Sequence, residues 1–476
     1  MKPSPEPDAA EQSWRLSPRL WIVVLIFLLV IVLSILLPGR HKQPSAGDSA
    51  DKAASGAASG HASSSFSVTR RPHGFGADRS PAATPEEIVA AKVKQFGRIR
   101  RETARGLARH LGKEVPAEVE QFFDAMDSGD WEEIQMRFRG IAKRAGRYDY
   151  STEHAPELDS FWRPVQEAFG AAEQAHAWPA QQLLDYGNAV LGSLRPGMVF
   201  VGGTDSGCFI PTMMNETSDG ERHVVLTQNG LTDATYLDYL KYLYGDQMAM
   251  PTHEDLQRAF QTYTEDAQKR YLHDQQHPDE PKQLRPGEDI SFGPDGKANV
   301  RGQAAVMSIN ELILKTMLQN NPNLSFAMEE SFSLPSTYVG AAPLGPIFEL
   351  RAQDGDKGMS ADAVAQSLDY WRAEAQQLIA DPASATSKDT MKSWSHDLAA
   401  QAHLFAANKF PDQAEQAYRL AGEMAPDSPE VTFGYVDLLV QQKRLGEAAQ
   451  VAQAALKSAP DNKMLKDLAQ RILQMK

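Results

Sequence analysis

The run Val199 to Glu216, VFVGGTDSGCFIPTMMNE, concentrates residue types that build ligand sites. An apolar stretch, Met198 to Val201, breaks into Gly202-Gly203-Thr204-Asp205-Ser206-Gly207, and Cys208-Phe209-Ile210-Pro211 then leads into a helix. Strand, glycine-rich turn and helix form a common ligand-binding unit of α/β proteins. The run lacks the G-x-G-x-x-G spacing and the Lys-Ser/Thr of a phosphate loop, which argues against a nucleotide. Two more apolar segments end in polar groups, at Thr227-Gln228-Asn229 and at Glu329-Glu330. Ligands of open α/β sheets bind beyond the carboxyl ends of the strands. If the strands are neighbours, Asp205, Gln228, Asn229 and Glu330 converge on one crevice. Carboxylates beside amides suit hydroxyl-rich ligands such as sugars, or a divalent cation held by oxygen. Thr204 and Asp233 are further ligand-binding candidates. The competing reading gives Asp205, Gln228, Asn229 and Glu330 to helix caps and turn amides, a task that Asp205, ahead of Gly207 and a helix, suits equally well. No cofactor and no metal set is identified.

Other reactive types carry less. Cys208 is the single cysteine, so no intrachain disulfide forms. A nucleophilic thiol needs a histidine base, and His223 opens a strand at the end opposite the loops, so Cys208 is expected as a small buried thiol. His273 and His277 lie four apart on a helix without the zincin glutamate between them, and are expected at a solvated helix end.

These candidates must be positioned by a mixed fold. Residues 84–195 read as helical, from the Thr84-Pro85-Glu86-Glu87 start to the Arg195-Pro196-Gly197 break. The first of these helices carries Lys92, Lys94, Arg98, Arg100, Arg101, Arg105, Arg109 and Lys113; it is expected as a solvated face, with contact to anionic lipid headgroups as the alternative. Residues 196–384 alternate strands with helices, which predicts an α/β domain with a mostly parallel sheet. Its strands are expected at Met198–Val201, Arg222–Gly230, Asn323–Leu334 and Gly345–Ala352, with a hairpin inserted around Pro294-Asp295-Gly296.

Ahead of the body, Leu20 to Leu37 is an uncharged stretch with one hydroxyl, about 27 Å long as a helix and so matched to a bilayer. It predicts a single-pass anchor in contact with the lipid bilayer, behind a polar tail at 1–19. Residues 43–83, rich in Ser, Ala and Gly, predict a disordered linker. The short tail and large body favour an extracytoplasmic, periplasmic body. A net charge of −14 argues against nucleic acid.

Residues 385–476 carry a repeat. Ala414 and Ala448, Ala421 and Ala455, and Pro426 and Pro460 each lie 34 apart, the tetratricopeptide period. With Phe405, Tyr418 and Leu439, they resemble the TPR consensus, followed by a capping helix; Ala452 and Thr432 depart from it. Two units rarely stand alone, so the array is expected to lean on the α/β domain. The blocks around Gly202, Gly203, Thr204, Asp205, Gly207 and Pro211, and around Thr227, Gln228, Asn229, Asp233 and Tyr236, with Glu330, resemble a family of bacterial single-pass membrane proteins without assigned chemistry. Cys208 departs from its basic residue. The layout is more loosely similar to the soluble tail of bacterial O-mannosyltransferase-like membrane proteins. These resemblances imply an envelope or glycan-related context.

The sequence thus predicts a membrane-anchored envelope protein that binds a protein partner through TPR-like helices, with Phe405, Ala414, Tyr418, Ala421, Leu439, Ala448 and Ala455 as packing or groove residues. The alternatives are a glycan-related enzyme or sugar-binding domain using Asp205, Asn229 and Glu330, and a structural scaffold of a membrane complex.

Overall fold

The computed structural model describes residues 83–147, 154–285, 288–293, 298–329, 340–350, 359–384 and 387–475. The expected membrane span at 20–37, all of the linker but its last residue, the Pro294-Asp295-Gly296 turn and Glu330 lie outside the described residues. Among the described residues, no helix is long and apolar enough to cross a membrane.

Four helices open the body: α1 (Pro85–Leu111), α2 (Ala117–Ser128), α3 (Trp131–Arg144) and α4 (Trp162–Ala177). Thr84 caps α1 with a capping box closed by Glu87, which satisfies two otherwise orphaned N–H groups. Phe122, Phe138, Trp162 and Phe169 fill the core between these helices. The basic face of α1 stays partly solvated, with Arg98, Arg109 and Lys113 exposed, but much of its charge is paired. Arg98 reaches Asp127 at 2.9 Å, Arg101 reaches Glu120 at 2.6 Å and Asp124 at 2.8 Å, and Arg105 reaches Glu120 at 2.8 Å. Arg100 is buried against Glu167 of α4 at 2.6 Å. Apart from Glu102, which pairs with Arg105, the acids that pair with these arginines come from other helices, which is why a count along α1 alone misses them.

After α5 (Ala180–Ser193) come β1 (Val199–Gly202), α6 (Asp205–Glu216), β2 (Val224–Thr227), α7 (Ala234–Tyr244), α8 (His253–Gln276), β3 (Asp289–Phe292), β4 (Ala298–Arg301), α9 (Gln303–Asn320), β5 (Phe326–Met328), β6 (Ala342–Leu344) and β7 (Ile347–Leu350). The main sheet runs β2-β1-β5-β7-β6, and β3 and β4 form a separate antiparallel hairpin. The expected mostly parallel sheet is corrected to a mixed one. β2, β1 and β5 are parallel, whereas β7 runs antiparallel to both β5 and β6. The cause is local: Gly345 takes φ +61 between β6 and β7, allowing the tight turn of a hairpin, and a hairpin forces antiparallel pairing.

Strand alternation splits the core. Phe200, Val225, Ala327 and Ile347 point to one face, against helices that include α5 and α6. Val199, Val201, Leu226, Phe326, Met328 and Phe348 point to the other, against α7, α8 and α9. The outer edge of β2 is capped by side chains: Tyr236 Oη accepts from the Thr227 N–H at 2.7 Å, and Asn215 Oδ1 accepts from the His223 N–H at 2.8 Å. Such capping blunts an edge that would otherwise recruit another strand.

Helices α10 (Ala361–Ala380), α11 (Lys388–Ala407), α12 (Pro411–Met424), α13 (Pro429–Gln441), α14 (Leu445–Ser458) and α15 (Lys463–Gln474) complete the chain. The pairs α11–α12 and α13–α14 repeat one another, and Lys409 and Lys443, 34 residues apart, both take a left-handed backbone at the turn within each pair, at φ 68 and 61. Phe405, Ala414, Tyr418, Ala421, Leu439, Ala448 and Ala455 are all buried. They pack the repeats and do not line a groove. α11 is fixed to the sheet: Gln401 Nε2 donates to the Gly345 and Ile347 carbonyls at 2.7 and 3.0 Å, and Ala400 and Leu404 join the core that contains Phe348 and Leu350.

Candidate functional site

The carboxyl ends of β2, β1 and β5 lie side by side in the sheet. The chain leaves β1 through α6 toward β2 and leaves β5 toward β6 and β7, so the connections part between β1 and β5. That is the topological switch point, where open α/β sheets form their ligand crevice.

The glycine-rich loop turns into α6 at this point. Thr204 is the N-cap, its Oγ1 accepting from the Gly207 N–H at 2.9 Å. Two backbone N–H groups and a hydroxyl face the switch point, a cradle suited to an anion. The protein fills it with its own carboxylate. Glu329, buried immediately after β5, accepts from the N–H groups of Gly203 and Thr204 at 2.7 and 3.0 Å and from Thr204 Oγ1 at 2.5 Å. Tyr186 of α5 donates its hydroxyl to the same carboxylate at 3.3 Å. Burial pushes the Glu329 pKa up, and these donors pull against that rise. Burial, with the carboxylates Asp397 and Glu329 beside it, raises the Tyr186 hydroxyl well above its ordinary value. The fit leaves no space: a Cβ on Gly207 would stand 1.8 Å from Glu329 Cδ.

The expected residues are therefore distributed among several tasks. Thr204 is at the crevice, engaged with Glu329. Asn229 is there too, donating its amide to the Gly203 carbonyl at 2.8 Å, which ties the end of β2 to the loop after β1. Asp205 opens α6 at the surface and has no hydrogen-bond partner among the described residues. Crowding by protein raises its pKa, a tendency that its solvent-exposed surface limits. Gln228 is buried with neither amide atom partnered. Asp233 is drawn away from the crevice: it caps α7 through the Thr235 N–H at 2.9 Å and pairs with Arg163 at 3.0 Å. Although burial opposes it, the Arg163 and Arg147 charges bring its pKa below the usual value. Burial raises the Cys208 thiol well above its ordinary pKa, which makes it a poor nucleophile. His273 and His277 share Glu280, each at 3.4 Å. No group of three His, Cys, Asp or Glu among the described residues is placed to hold a metal ion.

Glu329 and Tyr186 are the site residues that the sequence reading passes over. A signal existed in strand parity. Ala327 faces α5 and α6 whereas Met328 faces α7 to α9, so period-two alternation sends residue 329 toward the loop that opens α6. The site also touches the repeats, since Ser206 Oγ lies 2.7 Å from Ser393 Oγ of α11.

Among known proteins, the tetratricopeptide repeat family matches residues 405–472. No curated protein and no solved structure matches the chain. The C-terminal helices are thus tetratricopeptide repeats, a class whose stacked helices present extended surfaces for protein partners.

Proposed function

We propose that the protein is a membrane-anchored adaptor of the bacterial envelope. Residues 20–37 hold it in the bilayer, the body lies outside the cytoplasm, and the repeats bind a protein partner. The observation that carries this reading is how the repeats are mounted. The first repeat helix, α11, is committed to the sheet through Gln401, Ala400 and Leu404. The partner surface therefore belongs to α13 and α15, where Asp437, Gln441, Asp467 and Arg471 are exposed. A rigid mount lowers the ordering cost of binding. Photo-crosslinking in cells with a probe at Gln441 tests the reading. A discrete adduct is expected, lost in Asp437→Arg with the melting temperature unchanged and kept in Asp205→Ala. Loss in Asp205→Ala with persistence in Asp437→Arg overturns it. Protease treatment of intact cells is expected to cleave the body only once the outer barrier is opened; protection until the inner membrane is lysed reverses the topology.

A second reading, a sugar-binding or glycan-related catalytic crevice at Asp205, Asn229 and Glu330, is favoured only by the exposed, unengaged carboxylate of Asp205 at the switch point. Glu329 already occupies the cradle beside it. In this reading a ligand must bind at the rim or displace that carboxylate.

A further inference from the structure

Successive repeats set histidines of α11 against carboxylates of α13. His396 and Glu430 lie 34 residues apart, and so do His403 and Asp437, so each pair joins equivalent positions of consecutive units. His396 Nε2 stands 3.4 Å from Glu430 Oε2 and 3.3 Å from Ser428 Oγ, and that hydroxyl donates to Glu430 at 3.1 Å. His403 stands beside Asp437, whose carboxylate accepts from Gln441 Nε2 at 2.7 Å. Both acids are exposed. Seven residues make about two helical turns, so Glu430 and Asp437 share one stripe of α13, and His396 and His403 share one stripe of α11.

Other acids of the repeats have permanent counter-ions. Arg419 and Arg444 hold Glu415 at 2.5 Å each, and Arg444 holds Glu447 at 2.6 Å. Glu430 and Asp437 are ion-paired with no lysine or arginine among the described residues. Their neighbours are histidines, the side chain whose charge changes between about pH 5 and 8. Although burial opposes it, His396 draws the Glu430 carboxyl down to about 2. Burial pushes His403 below its ordinary value, against the pull of Asp437, which leaves the Asp437 charge uncompensated at neutral pH. Arg471 of α15, one repeat beyond Asp437, does not come within ion-pair distance of it among the described residues. Around α11, Lys388 lies 3.9 Å from Asp427, Asp369 of α10 pairs with Arg372, and Glu349 of β7 pairs with Arg195. Asp397 lies beside Tyr186. Lys392 is one turn before His396, and Asp412 and Glu423 of α12 and Asp362 of α10 are exposed.

We propose that Glu430 and Asp437 hold a lysine- or arginine-bearing segment of the partner, and that protonation of His396 and His403 releases it. This deepens the adaptor reading and rests on it. With both histidines neutral, the α13 stripe presents two carboxylates to a basic segment. With both protonated, each carboxylate has an internal counter-ion, and the attraction is cancelled. Partner and protons then oppose one another by linkage, and each linked proton changes the affinity by up to about tenfold per pH unit.

Photo-crosslinking of the full chain with a probe at Gln441, in membranes isolated from the cells, tests this at about pH 7.5 and about pH 5.5 and constant ionic strength. The adduct is expected to fall about tenfold or more at the lower pH. Acetylated and amidated tetralysine is expected to compete at the higher pH, and tetraglutamate is not. His396→Gln combined with His403→Gln is expected to keep the adduct at the lower pH. Because His403 is half-buried, His396→Gln is also made alone, and is expected to remove roughly half of the fall on a logarithmic scale. Equal wild-type yields at both pH values, an unchanged fall in both variants, competition by tetraglutamate, or none by tetralysine overturns this regulation and leaves the adaptor reading standing. No adduct at either pH overturns the adaptor reading, and the regulation with it.

Discussion

The switch-point crevice and the repeats solve opposite problems. In the crevice, buried polar groups are packed around one carboxylate: Glu329 takes three donors from one loop and a fourth from Tyr186, although the amide of Gln228 nearby is left unpartnered. In the repeats, small and aromatic side chains interlock, and the charges sit at the periphery, as where Arg444 and Arg419 hold Glu415 at 2.5 Å. The first arrangement depends on atomic placement and tolerates little change. The second depends on a pattern, and a pattern is what a sequence displays.

The largest effect that tests this contrast is Gly207→Ala. The added Cβ falls 1.8 Å from the Glu329 carboxyl carbon, so either the loop or the carboxylate must leave. Forcing a buried charged acceptor from its donors is expected to cost about 3 kcal/mol or more, read by denaturant unfolding. An equivalent methyl at Gly446 of α14, where a Cβ meets nothing within 4 Å, is expected to be neutral or slightly stabilising through helix propensity. If Gly207→Ala costs no more than Gly446→Ala, the crevice is not closed by Glu329.

That contrast also decides what was legible in the sequence. The repeats were legible because small residues recur at the spacing of helix pairs, and Ala414, Ala421, Ala448 and Ala455 are all buried as that pattern demands. The neighbouring ends of β1, β2 and β5 were legible as places, since apolar runs ending in polar groups mark strand ends. Their contents were not. Glu329 fills the cradle, whereas Glu330 lies outside the described residues; choosing between the two adjacent carboxylates needs the strand's register, because in a strand one residue is the difference between two faces. β6 was missed because Ala342-Pro343-Leu344 is too short to show alternation, and without it the antiparallel edge could not be foreseen. The helix start at Asp233 was legible, but its pairing with Arg163, 70 residues away, was not, because no local spacing encodes it.

A smaller effect separates the two regions by the sign of their pH dependence. The Arg444 hydrogen bond, aided by Arg419, lowers the Glu415 pKa to about 2 from 4.5. A depressed carboxylate contributes stability above its unfolded pKa and loses it as pH falls through the folded value. The repeat contribution is therefore expected to fade between pH 4.5 and about 2, and Glu415→Gln to remove that part of the acid profile. Solvent access to Arg444 and Arg419 keeps the effect modest. Glu329 acts oppositely: its pKa is raised by burial, so its contribution is full below the unfolded pKa and declines as pH rises through the folded one. A profile of wild type against Glu415→Gln that differs only above pH 5 contradicts the assignment to the repeats.

The smallest expected effect is the most informative for function. Asp205 is exposed at the start of α6, where its charge meets the positive end of the helix dipole, an interaction worth a few tenths of a kcal/mol at an exposed site. Thr204, not Asp205, caps the helix, so Asp205→Asn removes no buried partner, and a stability change within about 0.5 kcal/mol is expected. Because the fold survives, any larger consequence belongs to a ligand. If crosslinking through the repeats persists in Asp205→Asn and no sugar or cation raises the melting temperature of the wild type, the crevice is a structural joint, closed by Glu329 and latched to the repeats through Ser206 and Ser393. A ligand-dependent rise in the wild type that vanishes in Asp205→Asn instead moves the function to the rim of the sheet, and the two regions exchange roles.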